Sequence, residues 1–213
     1  MFNYRRELMS IAKSGGIPTD GLVLYYPFDT PVAVGGTVQD MSTSDNDGTL
    51  SGDAFVDSNG LNLGGDGNIN CGHDTSLDIG TSFTWQAAFS CAKSNVWEYV
   101  IAKPHDNAGL GIHTNLIFSY FKLEDGSYVI VSCGPSIVVG RKYNLAITYE
   151  NRTFKIYVDG QLKTTKTITQ DFYSSNTYDL FIGGKISRRF EGHIYKVLAY
   201  NRALSLDEIQ KLQ

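Results

Sequence analysis

Between Leu22 and Tyr200 the chain runs through one short segment after another of β-branched and aromatic residues, each closed by a turn signal, with no helical period between them. That succession constrains the fold more than any other feature. Parallel strands need long, usually helical, crossovers, so strands this closely spaced must pair antiparallel. "LVLYYPF" (22–28) ends at Asp29, Thr30 and Pro31. "SFTWQAAFS" (82–90) sets Phe83, Trp85, Ala87 and Phe89 on one face, the period of a half-buried strand. Asp125-Gly126 marks a tight hairpin, and further turns fall at Glu150-Asn151-Arg152 and Asp159-Gly160. "YDLFIGG" (178–184) and "GHIYKVLAY" (192–200) complete the series. About a dozen such strands predict an all-β, antiparallel sandwich.

The ends of the chain read differently. In "MFNYRRELMSIAKS" (1–14), Tyr4, Leu8 and Ile11 recur at helical spacing with Phe2 nearby, while Arg5, Arg6 and Lys13 face elsewhere. This short amphipathic helix either packs back on its own domain, frays as a tail, or docks on a partner through Phe2, Tyr4, Leu8 and Ile11. "SGGIPTDG" (14–21) reads as a linker, so residues 1–16 form an anchor segment and 17–213 the sandwich. At the other end, Ser205-Leu206-Asp207-Glu208 has the form of a capping box, Ser as N-cap and Glu three residues on. Leu206, Ile209 and Leu212 then share one helix face and are expected to seal an open end of the sandwich.

Composition narrows the partners. A net charge of −4 offers no overall basic field to a nucleic-acid backbone. No apolar run reaches the roughly 20 residues that span a bilayer. The first residues lack the apolar core of a signal peptide, so synthesis in the cytoplasm with export by another route, such as cell lysis, is expected. The cysteines, Cys71, Cys91 and Cys133, are too sparse for a disulfide framework and read as small buried side chains, with one bridged pair as the alternative.

The order of several fragments resembles the laminin-G-like, pentraxin-like branch of the concanavalin A-like lectin/glucanase superfamily. The resemblance covers about residues 21–213 and leaves the first 14 outside. It begins with "GLVLYYPFD", continues through Val38, Asp40, Ser42, Asn46 and "GTLSG" (48–52), then Leu61, Leu63 and "SFTWQAAF". It ends with "FKIYVDGQL" (154–162), "LFIGG" (180–184) and "FEGHIYKVLAYNRALSLDEIQKL" (190–212). It implies a two-sheet jelly roll of about twelve strands, a frame shared by lectins, glycosidase accessory modules, adhesins and structural proteins.

Glycosidases of that superfamily carry Glu-x-Asp-x-x-Glu on one strand. None of Glu7, Glu98, Glu124, Glu150, Glu191 and Glu208 has an acidic residue two positions on, and no GxSxG elbow occurs. No catalytic residues are therefore assigned. The resemblance also raises a structural calcium near Asp29, with Asp40, Asp45 and Asp47 as oxygen donors. The last strand reads Gly192-His193-Ile194-Tyr195, however, where the family has a carboxylate, and Asp29 suits a turn cap. "CGHD" (71–74) is half a transition-metal site at most. No metal or cofactor is expected.

Sugar binding needs exposed aromatic faces beside hydrogen-bonding groups. Trp97, Tyr99, Phe172 and Tyr173 adjoin polar loops and are the candidates, with "KPHDNAG" (103–109) as an adjoining loop. Trp85, Phe154 and Tyr157 are assigned to the core. The expected function is a non-enzymatic structural or adhesion module. It would be a phage virion decoration or fibre protein attached to a capsid or tail through residues 1–14 and contacting surface glycan. The alternative is an independent carbohydrate-binding module of a bacterial surface or polysaccharide-use system.

Overall fold

The computed structural model describes residues 16–103, 108–134, 136–171, 178–184 and 188–213. The amphipathic segment with Phe2, Tyr4, Leu8 and Ile11 lies outside them, as do Phe172 and Tyr173. In chain order the described strands are β1 (Leu22–Tyr26), β2 (Thr37–Val38), β3 (Gly48–Ser51), β4 (Phe55–Asp57), β5 (Gly60–Gly64), β6 (Asn68–Asn70), β7 (Ser82–Cys91) and β8 (Trp97–Lys103). The series continues with β9 (Ala108–His113), β10 (Leu116–Lys122), β11 (Tyr128–Cys133), β12 (Tyr143–Glu150), β13 (Thr153–Val158), β14 (Gln161–Thr167), β15 (Phe181–Ile182) and β16 (Glu191–Tyr200). A helix, α1 (Leu206–Lys211), closes the chain. The excess over the expected dozen lies in strands such as β2, β4, β6 and β15, only two or three residues long and too short to show a period.

Two antiparallel sheets of eight strands face each other. The first has the order β14-β13-β12-β7-β16-β5-β4, with β1 also paired to β16. The second has the order β11-β10-β9-β8-β15-β6-β3-β2. Between them lies a core rich in aromatic rings. Phe83 and Trp85 of β7 and Tyr149 of β12 meet Phe121 of β10 and Phe154 of β13, with Phe121–Phe154 and Tyr149–Phe154 centroids 4.6 and 4.5 Å apart. Trp85 and Phe154 thus sit in the core as expected. Cys71, Cys91 and Cys133 are buried and unbridged, which removes the bridged-pair alternative.

β7 corrects the half-buried reading. Its inward face is Phe83, Trp85, Ala87 and Phe89, but Thr84, Gln86, Ala88 and Ser90 on the other face are buried too. Thr84 lies under the segment leading into α1, and Ser90 meets Tyr195. Helix α1 itself lies on the outer face of the first sheet and not across an open end. Ile209 and Leu212 pack with Leu22, Ala146, Tyr157, Leu198, Tyr200 and Leu204 in a second apolar cluster. Tyr157 belongs there, buried but not between the sheets. Leu206, expected on the packed face, is 45% exposed.

Short hydrogen bonds hold this cover down. Thr84 Oγ1 donates to the Arg202 carbonyl at 2.8 Å and accepts from Leu204 N–H at 2.9 Å. Arg202 forks onto both oxygens of Glu208 at 2.6 and 3.0 Å. Ser205 and Glu208 complete the capping box reciprocally. Lys196 Nζ donates to the carbonyl of Leu212 at 2.7 Å. Among the described residues no helix is long and apolar enough to cross a membrane.

Three outcomes test this cover. Ser205→Ala should lower unfolding free energy by about 0.5–2 kcal/mol and Ile209→Ala by about 2–5 kcal/mol in denaturant titrations. Arg202 holds the Glu208 carboxyl well down, to about 2. A free glutamate titrates at about 4.3, so this pair stabilises fully above that pH and its contribution is lost as pH falls through about 2. Glu208→Gln should therefore melt lower at neutral pH yet show a shallower fall in Tm across that acid window.

Candidate functional site

The second sheet keeps an aromatic outer face. Alternation along β10 turns Ile117 and Phe121 inward and leaves Phe118 and Tyr120 outward, and on β11 it leaves Tyr128 and Ile130 outward. Register then lines up neighbours across strands: Trp97 with His113 and Leu116, Tyr99 with Gly111 and Phe118, and Gly109 with Tyr120 and Ile130. Trp97 and His113 ring centroids are 4.7 Å apart, and Phe118 lies 6.2 Å from Trp97 and 5.5 Å from Tyr99. Tyr120 and Tyr128 stack at 4.9 Å. Gly109 and Gly111 on β9 make room for this layer. A methyl group at Gly109 would drive into the Tyr99 ring, and one at Gly111 into the main chain of Glu98 and Tyr99. Glycine inside a strand marks such a close approach.

Exposure divides the layer into floor and surface. Tyr99 is only 7% exposed, and Phe118 and Tyr120 are buried with it. Trp97 at 36% and Tyr128 at 47% present area to solvent. Arg188 lies over Trp97, its Cζ 3.2 Å from the ring centroid, and 5.8 Å from that of Tyr99. Of the aromatic residues expected from sequence to contact sugar, Trp97 and Tyr99 therefore come together on this face, Trp97 as surface and Tyr99 as floor. His113, Phe118, Tyr120, Tyr128 and Arg188 join them unanticipated. The alternation in "LIFSYFK" (116–122) and the paired glycines of "AGLGIH" (108–113) carried a signal for that face. Nothing local marked Arg188.

Carboxylates meet elsewhere. Glu98, almost fully buried on β8, accepts Glu191 N–H at 3.2 Å, and Glu191 pairs with Lys93. Burial pushes the Glu98 carboxyl up, with that hydrogen bond and Lys93 opposing. Two acidic side chains thus approach from separate strands, each already tied to a structural partner. A nearby cleft of about 500 Å³ on the outer face of the first sheet is lined by Phe55, Asn62, Ser90, Glu191 and His193. Tyr195, in place of the family's carboxylate, shares a 2.8 Å hydrogen bond with Ser90.

The suspected calcium region is a hydrogen-bond knot. Asp40, wholly buried, accepts from the N–H groups of Tyr25, Ser42 and Asn46 at 2.8, 2.9 and 3.0 Å and from Ser42 Oγ at 2.6 Å. Asp47 accepts from Asp40 N–H at 2.8 Å. Asn46 Nδ2 reaches back to the Val23 carbonyl at 2.8 Å. Burial pushes the Asp40 carboxyl up and these donors pull it down. Asp29 is exposed and accepts from its neighbour Thr30. Among the described residues no group of three or more His, Cys, Asp or Glu could hold a metal ion.

Since donors of the protein saturate Asp40, Asp40→Ala should cost at least about 3 kcal/mol by stranding buried N–H groups. EDTA should leave the wild-type Tm unchanged. A calorimetric scan with and without chelator checks both.

A family profile described as the concanavalin A-like lectin/glucanases superfamily matches residues 63–210, most of both sheets and the terminal helix. No curated protein sequence matches the chain. Among solved structures, the binding domain of Paraclostridial Mosquitocidal Protein 1 superposes with a TM-score of 0.67 at 13% identity over 90% of this chain. The chain spans 51%, about half, of that domain's length. Domain 4 of AbnA, a GH43 extracellular arabinanase from Geobacillus stearothermophilus in complex with arabinotriose, superposes with a TM-score of 0.61 at 15% identity, covering 92% of this chain and 99% of that one. Trypanosoma rangeli sialidase in complex with the inhibitor DANA gives 0.68 at 19% identity over 99% of this chain and 38% of the sialidase. These structural likenesses are of fold. With the profile match over the strands that build both layers, they leave one assignment: the chain belongs to the concanavalin A-like lectin/glucanase superfamily.

Proposed function

We propose that this chain is a non-enzymatic glycan-binding module whose site is the outer face of the second sheet around Trp97. One observation carries the reading: an exposed tryptophan and tyrosine stand on a rigid floor of buried rings, beside a guanidinium. Sugar rings present C–H faces that stack on such surfaces while their hydroxyls seek fixed polar groups. AbnA domain 4, complexed with arabinotriose, shows that a module of this fold and size takes an oligosaccharide. The acidic pair Glu98–Glu191 favours no hydrolytic reading, because both groups are engaged by the protein itself.

Trp97→Ala should weaken binding in an oligosaccharide panel by at least about tenfold, the scale of a lost aromatic anchor. Its Tm should fall by only a few degrees, because Trp97 lies at the margin of the layer. A wild-type protein that binds no member of the panel overturns the reading.

Display on a larger assembly is the second part of the proposal. The sequence spacing of Phe2, Tyr4, Leu8 and Ile11 would suit a helix docking in a groove on a capsid or tail protein, which would make the chain a phage decoration or fibre protein carrying a lectin-type sandwich. Tyr4→Ser with Leu8→Ser should abolish incorporation into that assembly and leave the stability of the sandwich nearly unchanged. A destabilised but still incorporated protein refutes docking. The full coverage of AbnA domain 4 favours the other reading, a carbohydrate-binding module in a bacterial polysaccharide-use system. Loss of incorporation in the double variant separates the two.

A further inference from the structure

Five arginines lie among the described residues, and four of them meet a carboxylate. Arg141 pairs with Asp159 at 2.8 Å, Arg152 with Asp171 at 2.9 Å, Arg189 with Asp66, and Arg202 with Glu208 and Asp20 at 2.6 and 3.1 Å. Arg188 meets none. Its guanidinium is stacked on Trp97, and its Nη1 is buried without a hydrogen-bond partner. A guanidinium does not give up its charge at any ordinary pH, so burial cannot be relieved by deprotonation. Stacking on the indole recovers about 0.5–2 kcal/mol. It leaves the Nη1 donors unmet, an arrangement that strands a partly desolvated cation at the one aromatic surface proposed to bind sugar.

We propose that this site selects acidic saccharides, with a sugar carboxylate pairing with Arg188 while the sugar ring rests against the exposed aromatic surface. The proposal rests on the glycan-binding reading above and adds the chemical class of ligand. A planar carboxylate matches two parallel guanidinium N–H groups, and the pair is stronger where water is partly excluded. Trp97 fixes the guanidinium plane in advance, which lowers the side-chain entropy lost on binding. The chain's net charge of −4 repels anions overall, so the preference must come from this local cation. Trp97 acts as its pedestal, and His113, 4.7 Å from Trp97, buttresses the indole.

The test uses the full chain and paired probes: trigalacturonate and 3′-sialyllactose, each beside its carboxyl-reduced counterpart, with arabinotriose and lactose as neutral controls. Calorimetric titration should find at least one acidic probe bound about tenfold or more tighter than its reduced form, the scale of one charge-assisted pair. That ratio should shrink as salt rises. Arg188→Gln should bring the ratio to about one, whatever the affinity for the reduced probe, and Arg188→Lys should retain part of it, since a point charge replaces the fork. Equal binding of acidic and reduced probes, or of neutral controls alone, overturns the acidic preference and leaves the glycan reading standing. A preference that survives in Arg188→Gln overturns the assignment to Arg188. Absence of binding to every probe overturns both readings.

Discussion

Two eight-stranded sheets present four faces, and stacking them disposes of only two. That constraint organises the rest of the molecule. The inner faces meet over Phe83, Trp85, Phe121, Tyr149 and Phe154, and at about 1.5–3 kcal/mol per large side chain this layer drives folding. The outer face of the first sheet is apolar over β1, β12, β13 and β16, and water would meet Ala146, Tyr157, Leu198 and Tyr200 if nothing lay on it. Helix α1 is too short to persist alone. It forms because Ser205, Glu208 and Arg202 satisfy its first turn while Ile209 and Leu212 bury that face. Its capping box and its apolar residues are one device.

The outer face of the second sheet is handled otherwise. It is aromatic from β8 to β11, and Trp97, Tyr128 and Ile130 remain in solvent. A monomer gains nothing in stability from exposed rings, so a patch of this kind calls for a ligand or partner. The two faces thus separate structure from recognition by position: a cover tied down by Thr84 and Arg202 on one side, an open layer ending in Arg188 on the other.

Legibility in the sequence follows the range of the interactions. The capping box was readable because its partners are three residues apart, and the inward face of β7 because a strand's period is two. The position of α1 was not readable: Ile209 and Leu212 announce an apolar helix face but not which surface receives it. Asp29, Asp40, Asp45 and Asp47 raised a calcium site only through the resemblance, and Asp40 and Asp47 are engaged in backbone capping. For the site, Trp97 and Tyr99 were visible from their polar surroundings, while Phe118 and Tyr120 share the composition of core rings and differ only in the face they occupy. Arg188 lies about 90 residues from Trp97 in sequence, and no local pattern encodes that contact.

The rigidity of the site has the same origin as the fold. Trp97 and Tyr99 stand on β8, whose partner β9 runs Gly109, Leu110, Gly111 against it. The glycines remove side chains from the outer face and leave Leu110 in the core, so one strand supports both layers at once. Tyr99 is pressed over Gly109, Phe118 fills the space beside Tyr99, and Trp97 leans on Phe118 and His113. Arg188 is fixed from a different direction: its carbonyl accepts Tyr99 N–H at 3.2 Å, and the next residue, Arg189, forms a parallel bridge to Tyr99. Main-chain pairing therefore sets where the guanidinium begins and ring packing sets where it ends. A cation anchored at both ends loses little freedom when an anion arrives, and such preorganisation is what a site on strands offers over one on loops.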